Sequence, residues 1–495
     1  MKNQLLLPLP ELSLPGEGMR PLPPSRRIFC NRSLRLDRIE MVGFDMDYTL
    51  AIYNQFEMDR LSIEATTRKL VERGYPESLL GMRYRTNFPI RGLLIDRRLG
   101  NVLKMDRYRY VKRAYHGMRE LGREERRRQY HTKRLRPGTA RYHWVDTLYA
   151  LSEVAVFAAA VEALEGAGRG VDYDELFADV RACIDLAHQD GSILHEVLRA
   201  PERYVLCDPD LGPTLHNLRS SGKRLFLLTN SQPSYTDALM RHLFDDILPE
   251  YPSWRNYFDV IICSAAKPGF FTEAEPFGKT NGAGVRVGGE VQSFERGTTY
   301  VAGNIEDFER IVGTGGDRVL YIGDHIYGDT LRVKKESAWR TSMIIQEMDA
   351  ELEALQACRD DIDRLDLLEA LRDRLHDDLR DHQMRLKALE RRDANEPELE
   401  AAKVRHRRAI DRIRLRLRVV EEEHDEIETR VDAAFHPFWG SLLKSGPEVS
   451  SFGDQVENYA CLYTTRVGNF LRYSPMHYFR SPRDRMPHEL MALRD

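Results

Sequence analysis

The sequence predicts an α/β protein. An open parallel sheet forms its core, a helical cap is inserted after the first strand, and a long helical hairpin lies toward the C-terminus. Three observations carry this. Four short apolar runs each end in a polar cluster. About 180 residues separate the first cluster from the second, far more than the roughly twelve a parallel crossover requires. Beyond residue 346, leucine recurs at helical spacing amid many Asp and Arg residues.

The four runs are 39–44, 224–228, 258–263 and 318–322. They are apolar on both faces, as strands covered by helices on each side must be. The clusters that follow them are Asp45 with Asp47, Thr229 with Asn230 and Ser231, Lys267 with Pro268, and Gly323 with Asp324. Open α/β sheets bind ligands outside the carboxyl ends of their strands, so clusters far apart in sequence are expected to meet.

The insertion reads as helical in its middle, at 147–163 and 173–188. Residues 347–393 carry Leu352, Leu355, Ile362, Leu365, Leu368, Leu371, Leu375, Leu379, Leu386 and Leu389. This is an amphipathic, coiled-coil-like helix about 70 Å long. A break at 394–397 returns the chain into a second helix at about 399–434. The expected organisation is an irregular arm over 1–25, a core from 26–100 and 200–346, a cap over 101–199, a hairpin over 347–434, and a segment 435–495 packing on the core or an oligomer interface.

Composition excludes several classes. The net charge of −4 argues against a dedicated nucleic-acid binder. The basic stretch 119–136 reads as a solvated helix face, because aromatic residues for base stacking are sparse in it. The six cysteines at 30, 183, 207, 263, 358 and 461 form no Cys-x-x-Cys pair, which fits free thiols in a reducing compartment. No apolar run approaches 18 residues, so no membrane span is expected. The proline-broken N-terminus does not read as a signal peptide, and a cytoplasmic location follows as the expectation.

Residues 44–49 (FDMDYT) hold the chemistry. Asp45 and Asp47 leave a strand two residues apart and point the same way, about 7 Å apart. One can attack phosphorus while the other manages the leaving group's proton, so the reaction passes through an aspartyl-phosphate. A carboxylate attacking a phosphate dianion needs a cation between them, and Mg²⁺ takes oxygen ligands; Asp45 and Asp324 are the carboxylates to supply them. Thr229 with the amides after it suits phosphate oxygens. Lys267 supplies a fixed positive charge, and Asp329, five residues past Asp324, can orient Lys267 or a metal-bound water.

These segments, 44–50 (FDMDYTL), 228–231 (LTNS), 267–271 (KPGFF) and 321–329 (YIGDHIYGD), resemble the four motifs of the haloacid dehalogenase superfamily, whose core is Rossmann-like. In detail they are similar to its cytosolic purine 5′-nucleotidase branch, specific for IMP and GMP. Tyr48 after the second aspartate is a mark of that branch, as are 27–33 (RIFCNRS), 452–456 (FGDQV), 462–464 (LYT) and 486–489 (MPHE). The resemblance covers about residues 26–490. It implies Asp45 as nucleophile and Asp47 as general acid/base. It implies Mg²⁺ on Asp45, the backbone oxygen of Asp47 and Asp324, and phosphate on Thr229, Asn230 and Lys267. It also implies a nucleotide substrate, phosphate transfer to a nucleoside, and a homo-oligomer, dimer or tetramer. The rival readings are a phosphatase for another phosphometabolite and a catalytically dead helical scaffold.

Arg181, Asp185 and His188 stand at i, i+4 and i+7 and share a helix face. A guanidinium can donate to purine O6 and N7, and a carboxylate can accept from N1–H. The resemblance assigns these three to the 6-oxopurine and Tyr149 to stacking on it. Gln189 and Leu194 depart from the branch, which has tyrosine and lysine there. The resemblance also implies an ATP effector site at Arg136, Tyr327, Lys335, Gln455 and Tyr459. There Asp146 and Asn458 replace asparagine and arginine; added repulsion and a lost cation lead us to expect poor ATP activation.

Overall fold

The computed structural model describes residues 22–489, apart from 83, 131–134, 281–285, 288–290, 393–396, 485 and 487. The side chains of Arg286, Tyr327 and Leu331 also lie outside the described residues. The same holds for most of the N-terminal arm and for the predicted break at 394–396.

Met41–Phe44 lies in the middle of the main sheet. It pairs in parallel with Arg224–Leu228 on one side, Phe44 opposite Leu227. On the other side it pairs with Val319–Gly323, Phe44 opposite Ile322. Val260–Cys263 extends the sheet beyond Arg224–Leu228, followed by Thr299–Ala302. Arg340–Ile344 and Leu462–Thr464 extend it the other way, still parallel. The strand order therefore reverses at Met41–Phe44, which opens a crevice at its carboxyl end. Gly43 sits where a Cβ would fall 2.1 Å from the Phe226 ring, so the central strand needs glycine for its neighbour to pack. The C-terminal segment supplies a core strand, Leu462–Thr464, and an edge strand Phe29–Cys30 pairs onto it.

The insertion holds the expected helices, Leu151–Gly166 and Tyr173–Gln189. Asp172 caps the second, its side chain accepting from the Asp174 and Glu175 N–H groups. It also holds a five-stranded antiparallel sheet that the sequence reading did not anticipate. Leu93–Asp96 pairs with Asn101–Met105 in this sheet. A boundary at 100/101 would cut that hairpin, so the inserted unit takes in the earlier strand. Lys104 is buried in the sheet and donates to the Trp439 carbonyl at 2.7 Å and the Ser441 carbonyl at 2.5 Å. Burial pulls its pKa down to about 8. Arg113 donates to the Phe438 carbonyl, and the Trp439 indole to that of Phe88.

The hairpin is present, with one correction. Its first arm is not continuous: Met348–Ala357 ends at Cys358, whose backbone leaves helical geometry (φ −96°, ψ 12°), and Arg359–Glu390 follows. At 1.5 Å per residue the 32-residue helix is about 48 Å long. The return helix Pro397–Phe435 buries Leu417, Val420, Ile427 and Val431 against Leu368 and Leu375. The return arm thus covers part of the seam within one chain; Ile362, Leu365, Leu371 and Leu379 stay half-buried and Leu355 is exposed. Among the described residues no helix is long and apolar enough to cross a membrane.

Candidate active site

The four predicted clusters converge at the crevice. Asp45, Asp47, Tyr149, Thr229, Asn230, Lys267, Asp324 and Asp329 line one cavity of about 140 Å³. After Asp45 the chain wraps on itself: the N–H groups of Leu50 and Ala51 both donate to the Met46 carbonyl, at 3.0 and 2.9 Å. This turn, with Tyr48 at φ 54°, brings Asp47 back over the cavity.

Lys267 is the electrostatic centre. Its Nζ lies 2.9 Å from Asp45 Oδ1 and 2.7 Å from Asp329 Oδ1, and it donates to the Tyr321 hydroxyl at 3.0 Å. Burial opposes its charge, but Asp329 and Asp45 outweigh that and hold its pKa well above the usual lysine range. Asp329 positions the lysine, and its other oxygen accepts the His325 N–H at 3.2 Å. A Cβ on Gly323 would meet Asp329 Oδ2 at 2.5 Å, so the fourth strand needs glycine where Asp329 folds under it. Asn230 differs from expectation. Its side chain clamps the Lys267 main chain, accepting the N–H at 2.6 Å and donating to the carbonyl at 3.0 Å. What Asn230 offers the cavity is its backbone N–H, which among the described residues donates to no protein acceptor.

Asp47 accepts from the Tyr53 hydroxyl at 2.6 Å and from Ser231 Oγ at 2.5 Å. Burial raises its pKa, and these two hydrogen bonds offset part of the rise. Asp324 is pushed up to about 7, by burial first, with Arg91 pulling the other way. Fully buried Arg91 donates to the Asp324 carbonyl at 2.8 Å and grips both oxygens of Glu347. Asp45 is 8 %, Asp324 5 % and Asp329 2 % exposed, so three buried acids and the nearby Asp47 face one lysine. Oxygens of Asp45, Asp324 and Asp329 lie within 4.8 Å of one another. This all-oxygen set with excess negative charge suits a hard divalent cation.

Toward the insert, Tyr149 meets Tyr48 edge-on at 4.8 Å and His188 edge-on at 5.7 Å. Asp185 is exposed. Arg181 lies against the His143 ring, with Nε 3.9 Å from Glu153 Oε2. Burial raises the Glu153 pKa to about 7. Neither Arg181 nor Asp185 lines the small cavity; they lie further out on the helix that carries His188. Of the expected effector residues, Gln455 and Tyr459 lie on Ser451–Tyr459, which packs on the turn Ile326–Leu331 that carries Tyr327. Arg136 and Lys335 are exposed. Asp146 pairs with His325 at 3.2 Å, tying the insert to the residue beside Asp324.

Sequence reasoning gave no role in this site to Tyr53, Ser231, Tyr321, Arg91 or His325. Ser231, Tyr321 and His325 stood inside segments already singled out, so their proximity to Thr229 and Asp324 was a usable signal. Arg91 and Tyr53 offered none.

A sequence model described as the 5′ nucleotidase family matches residues 28–491. A 5′-nucleotidase domain-containing protein of Dictyostelium discoideum is 28% identical over 476 residues, covering 93% of this chain and 74% of its own length. The human 5′-nucleotidase domain-containing protein 2 is 32% identical over 352 residues, covering 68% of this chain and 66% of its own. Among solved structures, CbbY from Rhodobacter sphaeroides in complex with phosphate shares 14% identity, with a TM-score of 0.25 over 62% of this chain and 86% of that one. With the family match spanning the catalytic strands, the insert and the hairpin alike, the chain belongs to the 5′ nucleotidase family, and it is an enzyme of that kind.

Proposed function

We propose that the enzyme hydrolyses purine nucleoside 5′-monophosphates of the IMP and GMP type to nucleoside and phosphate, through an aspartyl-phosphate on Asp45. The observation that carries this is the cavity itself. It is acid-lined, large enough for a phosphoryl group and little more, and lined at one side by Tyr149, against which His188 packs edge-on from the helix that also carries Asp185 and Arg181.

In this reading the Asp45 carboxylate attacks phosphorus, and the P–O bond to the 5′-oxygen breaks as that oxygen takes a proton from Asp47. Tyr53 and Ser231 aim the Asp47 carboxyl, and its raised pKa favours the protonated form this step needs. Asp47 then takes a proton from the water that attacks the aspartyl-phosphate, which releases phosphate and restores Asp45. A nucleoside hydroxyl in place of that water gives phosphate transfer. Thr229, the Asn230 N–H and Lys267 hold the phosphoryl oxygens. Asp45, Asp324 and the Asp47 carbonyl would hold Mg²⁺, which would supply the positive charge an anion needs to approach a dianion. Self-association into a homo-oligomer through the hairpin and the C-terminal segment is part of the same proposal; the return arm leaves Leu355, Leu367, Leu415 and Val419 exposed on the hairpin.

A phosphate-release screen over mononucleotides and sugar phosphates with Mg²⁺ tests the substrate class; a preference for sugar phosphates sinks it. Asp47→Asn removes the proton donor but keeps the nucleophile. We expect a loss of about a hundredfold or more on a nucleotide, and a much smaller loss on a nitrophenyl ester, whose leaving group needs no proton. Equal losses on both would take the acid role from Asp47. Asp185→Asn should lower kcat/KM for IMP and GMP by roughly tenfold with nitrophenyl phosphate hydrolysis unchanged. The residue is exposed, so folding does not confuse the comparison, and equal losses would remove it from base recognition.

A further inference from the structure

The return helix Pro397–Phe435 turns one face to the first arm of the hairpin and leaves the opposite face open. Arg408, Arg412, Leu415, Val419, Glu422 and Glu426 follow one another at steps of three or four residues, so they form one stripe along that open face. All six are exposed, and the two apolar ones at its centre are more than half exposed, Leu415 at 59% and Val419 at 55%. Charged residues beside the stripe find partners on the first arm: Arg407 with Glu390, Glu423 with Arg364, and Arg430 with Asp361. Among the described residues, Arg408, Arg412, Glu422 and Glu426 make no ion pair.

The charge of this helix reverses at its middle. Residues 404–416 hold six arginines and one acid, whereas residues 418–430 hold six acids and two arginines. The turning point, Leu417, lies at the midpoint of the helix to within a residue.

We infer that this face docks a second copy of itself, with the two return helices antiparallel about a two-fold axis at Leu417. The inference rests on the self-association proposed above and names the face that makes it. The pattern selects the partner. It must offer acids where this helix offers arginines, and arginines where this helix offers acids; the same helix reversed does both. In that register Arg408 meets Glu426 of the second copy, Arg412 meets Glu422, and Leu415 meets Val419, and the two-fold repeats each pair. A parallel pair would set arginine against arginine, and a uniformly anionic surface would repel the acidic half. Because the axis sits at the middle of the helix, the two helices overlap along almost their whole length, about 58 Å. The exposed ion pairs contribute little each. Leu415 and Val419 of both copies supply the apolar centre, and the charges set direction and register.

Sedimentation of the full chain at micromolar concentration tests this. Arg408→Glu with Arg412→Glu makes the whole stripe acidic, and Glu422→Arg with Glu426→Arg makes it basic. Each double variant should sediment at half the mass of the parent. An equimolar mixture of the two should return to the parent's mass, because opposite charges then meet in the same antiparallel register. Leu415→Glu should weaken association at least about tenfold. The substituted side chains are exposed, so helicity by circular dichroism and hydrolysis of nitrophenyl phosphate should stay at the parent's values. A parent that self-associates while both double variants keep its mass overturns the assignment of this face and leaves self-association standing. A mixture that stays at half mass does the same. A monomeric parent overturns both, whether or not it binds vesicles of anionic phospholipid.

Discussion

Asp45→Asn abolishes turnover, with a loss of at least about a thousandfold, or roughly 4 kcal/mol of transition-state stabilisation. The amide is a poor nucleophile and a poor ligand for a hard cation. Its oxygen still accepts from the Met46 N–H and still faces Lys267, the contacts that Asp45 makes at 2.8 and 2.9 Å. The substitution also removes one negative charge from a cluster that burial and mutual repulsion already strain. The variant should therefore fold at least as stably as the parent, and the lost activity reports chemistry alone. In the parent, borohydride added during turnover should reduce the acyl phosphate and convert residue 45 to homoserine. Residual hydrolysis above about one part in a hundred in a clean preparation, or no homoserine at that position, excludes the covalent route.

Lys267→Met has the opposite character, costing stability as well as activity. The ammonium is buried between Asp45 and Asp329 and receives no help from solvent. Removing one partner of a buried, hydrogen-bonded charge group costs about 3–5 kcal/mol, because the other charges remain. Activity should fall about a hundredfold to a thousandfold as well, since a fixed cation at the transferring phosphoryl group is lost. Mg²⁺ should raise the unfolding midpoint of the variant more than that of the parent, because the bare carboxylates bind a cation more strongly. Urea unfolding with and without Mg²⁺ checks both points; an unchanged midpoint would show that the acids shed their charge by protonation when the lysine is gone.

The four catalytic strands were legible because a parallel strand covered on both faces must be continuously apolar, and the polar residue ending each run marks where it meets the crevice. The insert sheet was not legible, for a physical reason. Asn101–Met105 (NVLKM) is fully buried yet contains Asn101 and Lys104. Their partners are Gln129 and Tyr130 for the amide and the Trp439 and Ser441 carbonyls for the ammonium. The last two lie more than 300 residues away, so the local pattern reads as a polar loop. The interruption at Cys358 was hidden too, since neither glycine nor proline marks it and the apolar periodicity runs straight through it. At the catalytic site, motif spacing showed which side chains gather. It did not show how they divide the work: Asn230 holds Lys267 by the backbone, and Arg91 reaches Asp324 from 233 residues away.

A cap joined to its core only by the two chain crossings is free to swing. This one has a third mooring. Lys104, Arg113 and the Phe88 carbonyl bind the insert to residues 438–441, and residues 462–464 beyond them are stitched into the core sheet. A rigid-body opening would pull an ammonium away from two buried carbonyls with no water to replace them. The insert is accordingly a braced roof and not a lid. A chain cut at residue 435 would set the roof loose even though every catalytic residue named above precedes the cut.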